Sequence, residues 1–440
     1  MYLSFGHRPE FKSVHGSPCH PRRPRARIVV IALASVASVA LAQNSTPLTL
    51  AEAERLATEA EPGQRAIEAR ADALEQQAEI AGLLPDPVLR LGLNNFPIES
   101  GGFSTEGMTN AAIGLRQEFP AAGTRSLRSR QYRSLSGEMS AAADARARDV
   151  RLATRDAWLD LHYLQHAHAL VLETRPFFAE LAGITRSLYA VGRRSQQDVL
   201  RAELELSRLD DRLVDIERRR SGARAALAQW IGASAARPVA SGLPPWNEIP
   251  TRVALEAALQ AHPLLQAADA RIEAQSAAVG VAEKRSKPGW AVELGYSYRE
   301  GTLPDGMPRS DFVSVNVSVD LPYFRRTAID STLMAALHEE TAAESDRLQT
   351  ARRLQRQLAT EYSRWHELSR RLDIYSKRIL SQAAAQAAAS LNAYQSDRGD
   401  FADVMRAYID DLNTRIDHID LQVQRARSYA VLASLGGFEQ

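Results

Sequence analysis

From Tyr323 to Arg398 the chain runs 76 residues without a Gly or a Pro, in a stretch dominated by Ala, Leu, Arg, Gln and Glu. Nothing in it breaks a helix, and at 1.5 Å per residue an unbroken helix of that length reaches about 110 Å, several times the width of a globular domain. Such a helix has no place in a compact core and must lie along other long helices. Thr124 to Val191 supplies a second one, half a chain earlier. That interval calls for a search for internal duplication.

The duplication is there. Leu50 to Ala60 and Leu255 to Ala261 are short helical openings, followed by Pro62 and Pro263. A longer helix comes after each and stops at Pro85 or Pro288, 203 residues apart, where strict alternation begins. Leu89, Leu91 and Leu93 alternate with Arg90, Gly92 and Asn94; Trp290, Val292, Leu294, Tyr296 and Tyr298 alternate with Ala291, Glu293, Gly295, Ser297 and Arg299. Each run is answered by another, Ile113 and Leu115 up to Phe119-Pro120, and Val313 to Leu321 up to Pro322. Period-two patterning of this kind marks a strand between an apolar and a polar environment. After the long helices, Tyr189, Asp198, Val199, Arg201, Ala202, Leu227, Ala228 and Gly232 all recur 205 residues later. The unit reads helix, strand, strand, long helix, turn, helix, and occurs at 43–234 and 251–440 across a Pro/Gly-rich joint at 235–250.

The returning helices carry coiled-coil spacing. One stripe runs Val199, Ala202, Leu206, Leu209, Leu213, Ile216, and the other Ala402, Met405, Ile409, Leu412, Ile416, Ile419. These stripes are 203 apart whereas the identities are 205 apart, which points to packing on two sides of each helix. Pro176 should kink the first long helix or end a segment of it, because it removes a ladder donor. The second copy has no such residue.

The N-terminus reads as an export signal. Arg22, Arg23, Arg25 and Arg27 precede an apolar run from Ile28 to Ala42 that closes on Ala40-Leu41-Ala42, so residues 1–42 are expected to be removed. At 15 residues the run is short of the roughly 20 a membrane-spanning helix needs. Residues 1–21 are long and mixed for the front of such a signal, which points to a translation start further in. Without residues 1–42 the chain has 48 basic and 52 acidic residues, a net charge of −4 that leaves no basic excess for nucleic acid. Its one cysteine, Cys19, lies upstream of the apolar run, which excludes a disulfide or thiolate metal site from the exported protein.

Four strands do not close a barrel, and open sheet edges are not tolerated in lipid. Three chains would supply twelve. The alternation then puts Leu89, Leu91, Leu93, Trp290, Val292, Leu294 and the Val313–Val319 series toward lipid, and Arg90, Asn94, Glu293 and Arg299 toward a water-filled lumen. A soluble sheet with one buried face has the same pattern, but export, duplication and very long helices favour the barrel.

The segment Pro85-Asp86-Pro87 followed by LRLGLNNFP, then Met108-Thr109, Ile113-Gly114-Leu115 and Gln117-Glu118-Phe119-Pro120, resembles the TolC-like outer membrane efflux family in its heavy-metal branch. Asn392 to Ala407 (NAYQSDRGDFADVMRA) looks like that branch's second hairpin tip. The resemblance covers the chain beyond residue 42. It implies a mainly α homotrimer with a twelve-stranded transmembrane β-barrel in the outer membrane, continued by an α-helical coiled-coil tunnel through the periplasm. It implies a non-enzymatic conduit without cofactor, working with a periplasmic membrane-fusion adaptor and an inner-membrane proton-driven (RND-type) transporter, and exporting heavy-metal cations. The same fold exporting drugs, other organic solutes or secreted protein is the nearest alternative; a soluble periplasmic coiled-coil adaptor or scaffold is the alternative of a different class.

The resemblance also assigns residues. Gly192 with Asp198-Val199 fits the family's first hairpin tip and Asp403-Val404 the second, with Asp397 where the second Gly would sit and Arg406 where some relatives carry an acid. It implies a periplasmic gate at the second tip, read here as Asp400, Asp403, Arg406 and Asp397; the opposite charges of Asp397 and Arg406, where this sequence departs from the family, suggest a salt bridge that closes the mouth. It also implies adaptor docking at Gly192, Arg193, Arg194, Ser195, Arg398, Gly399 and Phe401. Asp400 and Asp403, three apart, share a helix face and in a trimer would stack as two carboxylate rings; an acid in a first helical turn is also favoured simply by the helix dipole. His162 and His166, at i and i+4, place two imidazoles on one face with no third ligand nearby, which suits packing better than metal.

Overall fold

In a computed structural model of the protein, residues 46–438 are described; the export signal read over 1–42 lies outside them. Helix α1 (Leu50–Ala60) starts at Thr49, whose hydroxyl accepts from the Glu52 amide. Helix α2 (Pro62–Gly82) has Pro in its first turn, where no N–H is needed, and is capped by Glu61, which Arg146 holds at 2.9 Å. Strands β1 (Val88–Asn94) and β2 (Asn110–Phe119) lead to α3 (Thr124–Ala190), 67 residues or about 100 Å long, and α4 (Gln196–Ile231) returns from it. The order then repeats with α5 (Arg252–Leu259), α6 (Pro263–Lys284), β3 (Trp290–Tyr298), β4 (Phe312–Val319), α7 (Arg326–Ile374), α8 (Leu380–Gln395) and α9 (Phe401–Gly436).

The four strands form one antiparallel sheet in the order β1-β2-β3-β4. Its register aligns Leu91, Ile113, Tyr296 and Val313 across the sheet, with Leu89, Leu115, Leu294 and Val315 beside them. One face is therefore apolar from edge to edge and lies exposed in the protomer. On the other face Arg90 reaches across Gly114 to Glu293 at 2.9 Å. A Cβ on Gly295 would lie 2.7 Å from Ser314 Oγ, so small residues keep this polar face open.

Helices continue the sheet order. Nearest the strands α2 packs on α3, α3 on α6 and α6 on α7; toward the far end α4 packs on α3, α3 on α9, and α9 on both α7 and α8. The 235–250 joint is irregular but not loose. Trp158 Nε1 donates to Leu48 O, Leu48 pairs with the 238–240 strip, Arg237 spans Thr46 and Glu52, and Trp246 stacks on Tyr429 at 4.7 Å.

Three expectations change. The long second-copy helix is not uniformly α: Tyr375–Ile379 forms a π turn between α7 and α8. Pro176 does not end α3, which continues through it as a single helix. Pro176 lies 203 residues before Ile379, so each copy carries its helix irregularity at the same level, by a proline in one and an extra residue in the other. Two-sided packing holds for α9 alone. It buries Val404, Ala407, Leu421 and Leu432 at the 205-residue offset and Met405, Leu412, Ile416 and Val423 as a second stripe, whereas Leu200, Leu204 and Val214 leave one flank of α4 exposed.

Candidate functional site

The far end of the protomer is made by two helix hairpins. Each turn is a Schellman cap: Gly192 N donates to Tyr189 O and Arg193 N to Leu188 O in the first, while Asp397 N donates to Tyr394 O and Arg398 N to Ala393 O in the second. The motif needs a left-handed residue, φ +73° at Gly192 and +57° at Asp397. An aspartate in that conformation costs about 1 kcal/mol relative to glycine. Gly399 then lets the chain fold back on α8, since a Cβ there would sit 3.0 Å from the Tyr394 amide nitrogen.

Asp397 does not meet Arg406, and the expected closing salt bridge is corrected accordingly. Its carboxylate pairs with Arg194 of the first tip at 2.9 Å, and the Arg194 guanidinium lies 4.4 Å from the centre of the Tyr394 ring. Arg406 turns along its own helix to Asp403 at 3.2 Å. Geometry decides this: Asp397 sits in the turn facing the neighbouring hairpin, whereas Arg406 is one turn and a half into α9, three residues from an acid on the same face. Asp400 is the N-cap of α9, yet its side chain makes no capping bond and stays exposed. Among the described residues the tips thus present three exposed carboxylates, Asp397 paired with Arg194, Asp403 shared with Arg406, and Asp400 with no ion-pair or capping partner.

Of the residues assigned to docking, Gly192, Arg193, Ser195 and Arg398 are exposed, and Ser195 caps α4 through the Asp198 amide. Phe401 is 0 % exposed and packs on Tyr394, with ring centres 5.5 Å apart. It holds the second tip together and offers no surface to a partner, which corrects its assignment as a contact residue. Arg194 is the residue whose role sequence reasoning missed. Its signal was the offset: Arg194 stands two residues after Gly192, and Gly192 and Asp397 are 205 apart.

At the sheet end, Arg90 and Glu293 are the bonded pair already described, and Asn94 donates to Asn110 Oδ1 at 3.0 Å on the same polar face. Arg299 lies just past β3. It is tied down by Ser310 O at 2.8 Å, Gly107 O at 3.3 Å and the Phe312 ring at 3.9 Å, so it stitches the two connecting loops together.

His162 and His166 both direct Nε2 to Ser241 O, at 3.1 Å each, and their rings lie 4.4 Å apart. Two N–H groups on one carbonyl leave no lone pair on that side for a metal. Burial holds the His162 pKa down to about 4. Among the described residues no group of three or more His, Cys, Asp or Glu is placed to hold a metal ion, and no helix is long and apolar enough to cross a membrane.

The comparisons bear on this geometry. Residues 254–437 match the outer membrane efflux protein family. Protein CyaE of Bordetella pertussis is 27% identical over 353 residues, covering 77% of this chain and 73% of CyaE. Three solved outer membrane channels share the fold. OprN has a TM-score of 0.75 at 18% identity, over 88% of this chain and 90% of that one. CusC has a TM-score of 0.75 at 14% identity, over 88% and 92%. The open state of MtrE from Neisseria gonorrhoeae has a TM-score of 0.70 at 18% identity, over 88% of each. Taken with the four-strand sheet and the duplicated helical hairpins, these likenesses show that the chain has the fold of solved outer membrane channels, and its second copy is similar to the outer membrane efflux protein family over residues 254–437.

Proposed function

We propose that three copies close head to tail into one channel, the outer membrane component of a tripartite export system completed by a periplasmic adaptor and an RND-type inner-membrane transporter. The observation that carries this is the match of the protomer's two open edges. On one side stand β1, α2 and the bare flank of α4; on the other stand β4, α7 and α8. A surface whose two sides differ and run the whole length of the molecule joins head to tail, and such a contact makes a ring when its rotation closes, as three copies would. Three protomers give twelve strands and leave an aqueous bore.

In that ring the tips of six hairpins surround the periplasmic mouth. Arg194–Asp397 ties the two hairpins of a protomer together, and Asp400 with Asp403 supplies negative charge at the constriction. Carboxylate rings attract cations, and this, with the tip sequence, supports heavy-metal cations as the cargo. Drugs, other organic solutes or secreted protein remain the competing cargoes on the same scaffold, and a soluble adaptor or scaffold the competing class.

Single-channel conductance in planar bilayers tests the reading. Wild type should give a low, cation-selective conductance that rises or loses selectivity in Asp400→Ala/Asp403→Ala. Pores unchanged by the double substitution would remove these two residues from the gate. No pores from a folded sample, or a protein soluble without detergent, would remove the channel. Loss of the gene in its host should lower tolerance to metal salts; lowered tolerance to organic toxicants alone would reassign the cargo.

A further inference from the structure

The membrane band of the sheet has unlike ends. At the end where the strands meet the helices, segments 83–87, 120–128, 283–289 and 320–326 hold seven basic residues against three acidic ones, a net of +4 per chain. At the opposite end, connections 95–109 and 299–311 hold two basic residues against five acidic ones, a net of −3. Both of those arginines are used inside the loops, Arg299 as described and Arg309 wedged between Gly107 and Gly301, 3.5 Å from the position of a Cβ on each. Of the helix-side cations Arg125 is used, donating to Gly82 O at 3.1 Å, but five others are not tied down in this way. None of Lys284, Arg285, Lys287, Arg325 and Arg326 has an acidic partner among the described residues, and all but the half-buried Lys284 are exposed.

Their placement continues the lipid-facing band. Following β4 out of the sheet, the exposed Val319 and Leu321 give way to Tyr323 and Phe324, the latter 90 % exposed, and then to Arg325 and Arg326. Following β3 backward, Trp290, stacked on Phe119 at 4.2 Å, gives way to Lys287, Arg285 and Lys284. Apolar band, aromatic step and cationic rim are the order that a hydrocarbon layer, its interface and its headgroups would meet.

We infer that this rim is a lipid-binding collar that gathers anionic phospholipid headgroups from the periplasmic leaflet around the channel. The occupant is set by charge and position: a phosphate carrying a net negative charge, at the depth fixed by acyl chains lying on the apolar face. A cation this close to an anionic surface gains about 1 kcal/mol, roughly a fivefold preference for each group that engages it. The inference rests on the barrel standing in the membrane, so its test must separate the two.

Trp290 is the reporter. It lies on the lipid face, while Trp158, Trp230, Trp246 and Trp365 sit on helices or loops at least about 30 Å from the strands, beyond the reach of α2 and α6. The full-length channel is reconstituted in two sets of vesicles of identical composition, equal phosphatidylglycerol and phosphatidylcholine. The acyl chains are brominated on the glycerol lipid in one set and on the choline lipid in the other. Stronger quenching of Trp290 by the brominated phosphatidylglycerol, by a factor that implies at least about fivefold enrichment and falls toward one in high salt, supports the collar. In Lys284→Gln/Lys287→Gln/Arg325→Gln/Arg326→Gln the enrichment should vanish while total quenching stays. Equal quenching by the two lipids in wild type overturns the collar but leaves the barrel in the membrane. No quenching by either overturns the membrane placement and the collar with it.

Discussion

At the residue scale the second tip holds a left-handed aspartate where glycine would be free of strain, and it is kept there by what its carboxylate reaches. Turn and pair separate by substitution. Asp397→Gly keeps the cap without the Arg194 pair, and Asp397→Ala loses the pair while adding about 1 kcal/mol of backbone strain. Hydrogen exchange at the Asp397 and Arg398 amides should quicken in Asp397→Ala and stay slow in Asp397→Gly, while both raise single-channel conductance; an Asp397→Gly channel that conducts as wild type would show that the pair latches nothing. The pair itself is half open to water and adds no more than about 1 kcal/mol. A second residue-scale prediction concerns pH. His262 caps α6 by accepting the Leu264 amide on Nδ1, and burial followed by the Arg148 and Arg353 charges holds its pKa down to about 4; burial does the same to His162. A pKa lowered from 6.5 means that the neutral ring is the folded form. The stabilisation is complete above pH 6.5 and is lost as pH falls from there toward 4, up to about 2 kcal/mol for each ring. Thermal transitions measured from pH 7.5 to 4.5 should fall across that window, and less steeply in His262→Asn, which retains a cap acceptor that does not titrate.

At the element scale, the sequence predicted the strands, the long helices and the repeat because each rests on a local signal: period two, absence of breakers, a fixed offset. It did not reveal what depends on where helices meet. The π turn has no residue signature, since Tyr375 to Ile379 contains ordinary helix formers. Pro176 was legible as a residue, but its consequence was not, because packing of Phe178 at 0 % exposure and of Phe177 on Tyr408 at 4.0 Å holds α3 together through it. The tip residues were legible as a set and misread as pairs: Asp397 and Arg406 are close in sequence, whereas the true partner, Arg194, is 203 residues away. The π turn makes a distinct prediction. A π turn holds one residue more than the α turns around it, so deleting Ser376 should straighten the α7–α8 junction without rotating the second tip. Deleting Ala359, in regular α-helix, should rotate everything beyond it by about 100°. Disulfide formation between Arg194→Cys and Asp397→Cys should survive the first deletion and fail in the second; equal loss in both would mean that the turn sets the tip's orientation.

At the scale of the whole molecule, the apolar surface that one protomer leaves exposed falls on two kinds of place. In the proposed channel the sheet face meets lipid. The bare flank of α4, with Leu200, Leu204 and Val214, would have no such solvent, for it lies at the end of the molecule away from the strands. The opposite edge is bare in the same way, with Met334, Leu337 and Leu348 exposed on α7 and Ile374 at its end. The proposed head-to-tail closure sets the α4 flank against the next protomer's α8 near the tips and the α2 edge against its α7 nearer the strands, and at the same time pairs β1 with its β4, so helices and strands should assemble as one cooperative step. A carboxylate placed on the α4 flank therefore attacks the barrel from a distance. Leu204→Glu/Val214→Glu leaves α3, α4 and their shared core untouched, since both side chains are exposed in the protomer, yet it puts two unpaired charges into each of three interfaces at several kcal/mol apiece. Light scattering in detergent should find monomers with intact helical circular dichroism, and planar bilayers should record no pores. A variant that stays trimeric and conducts would mean that this flank is not where protomers meet, leaving it free for a partner outside the ring.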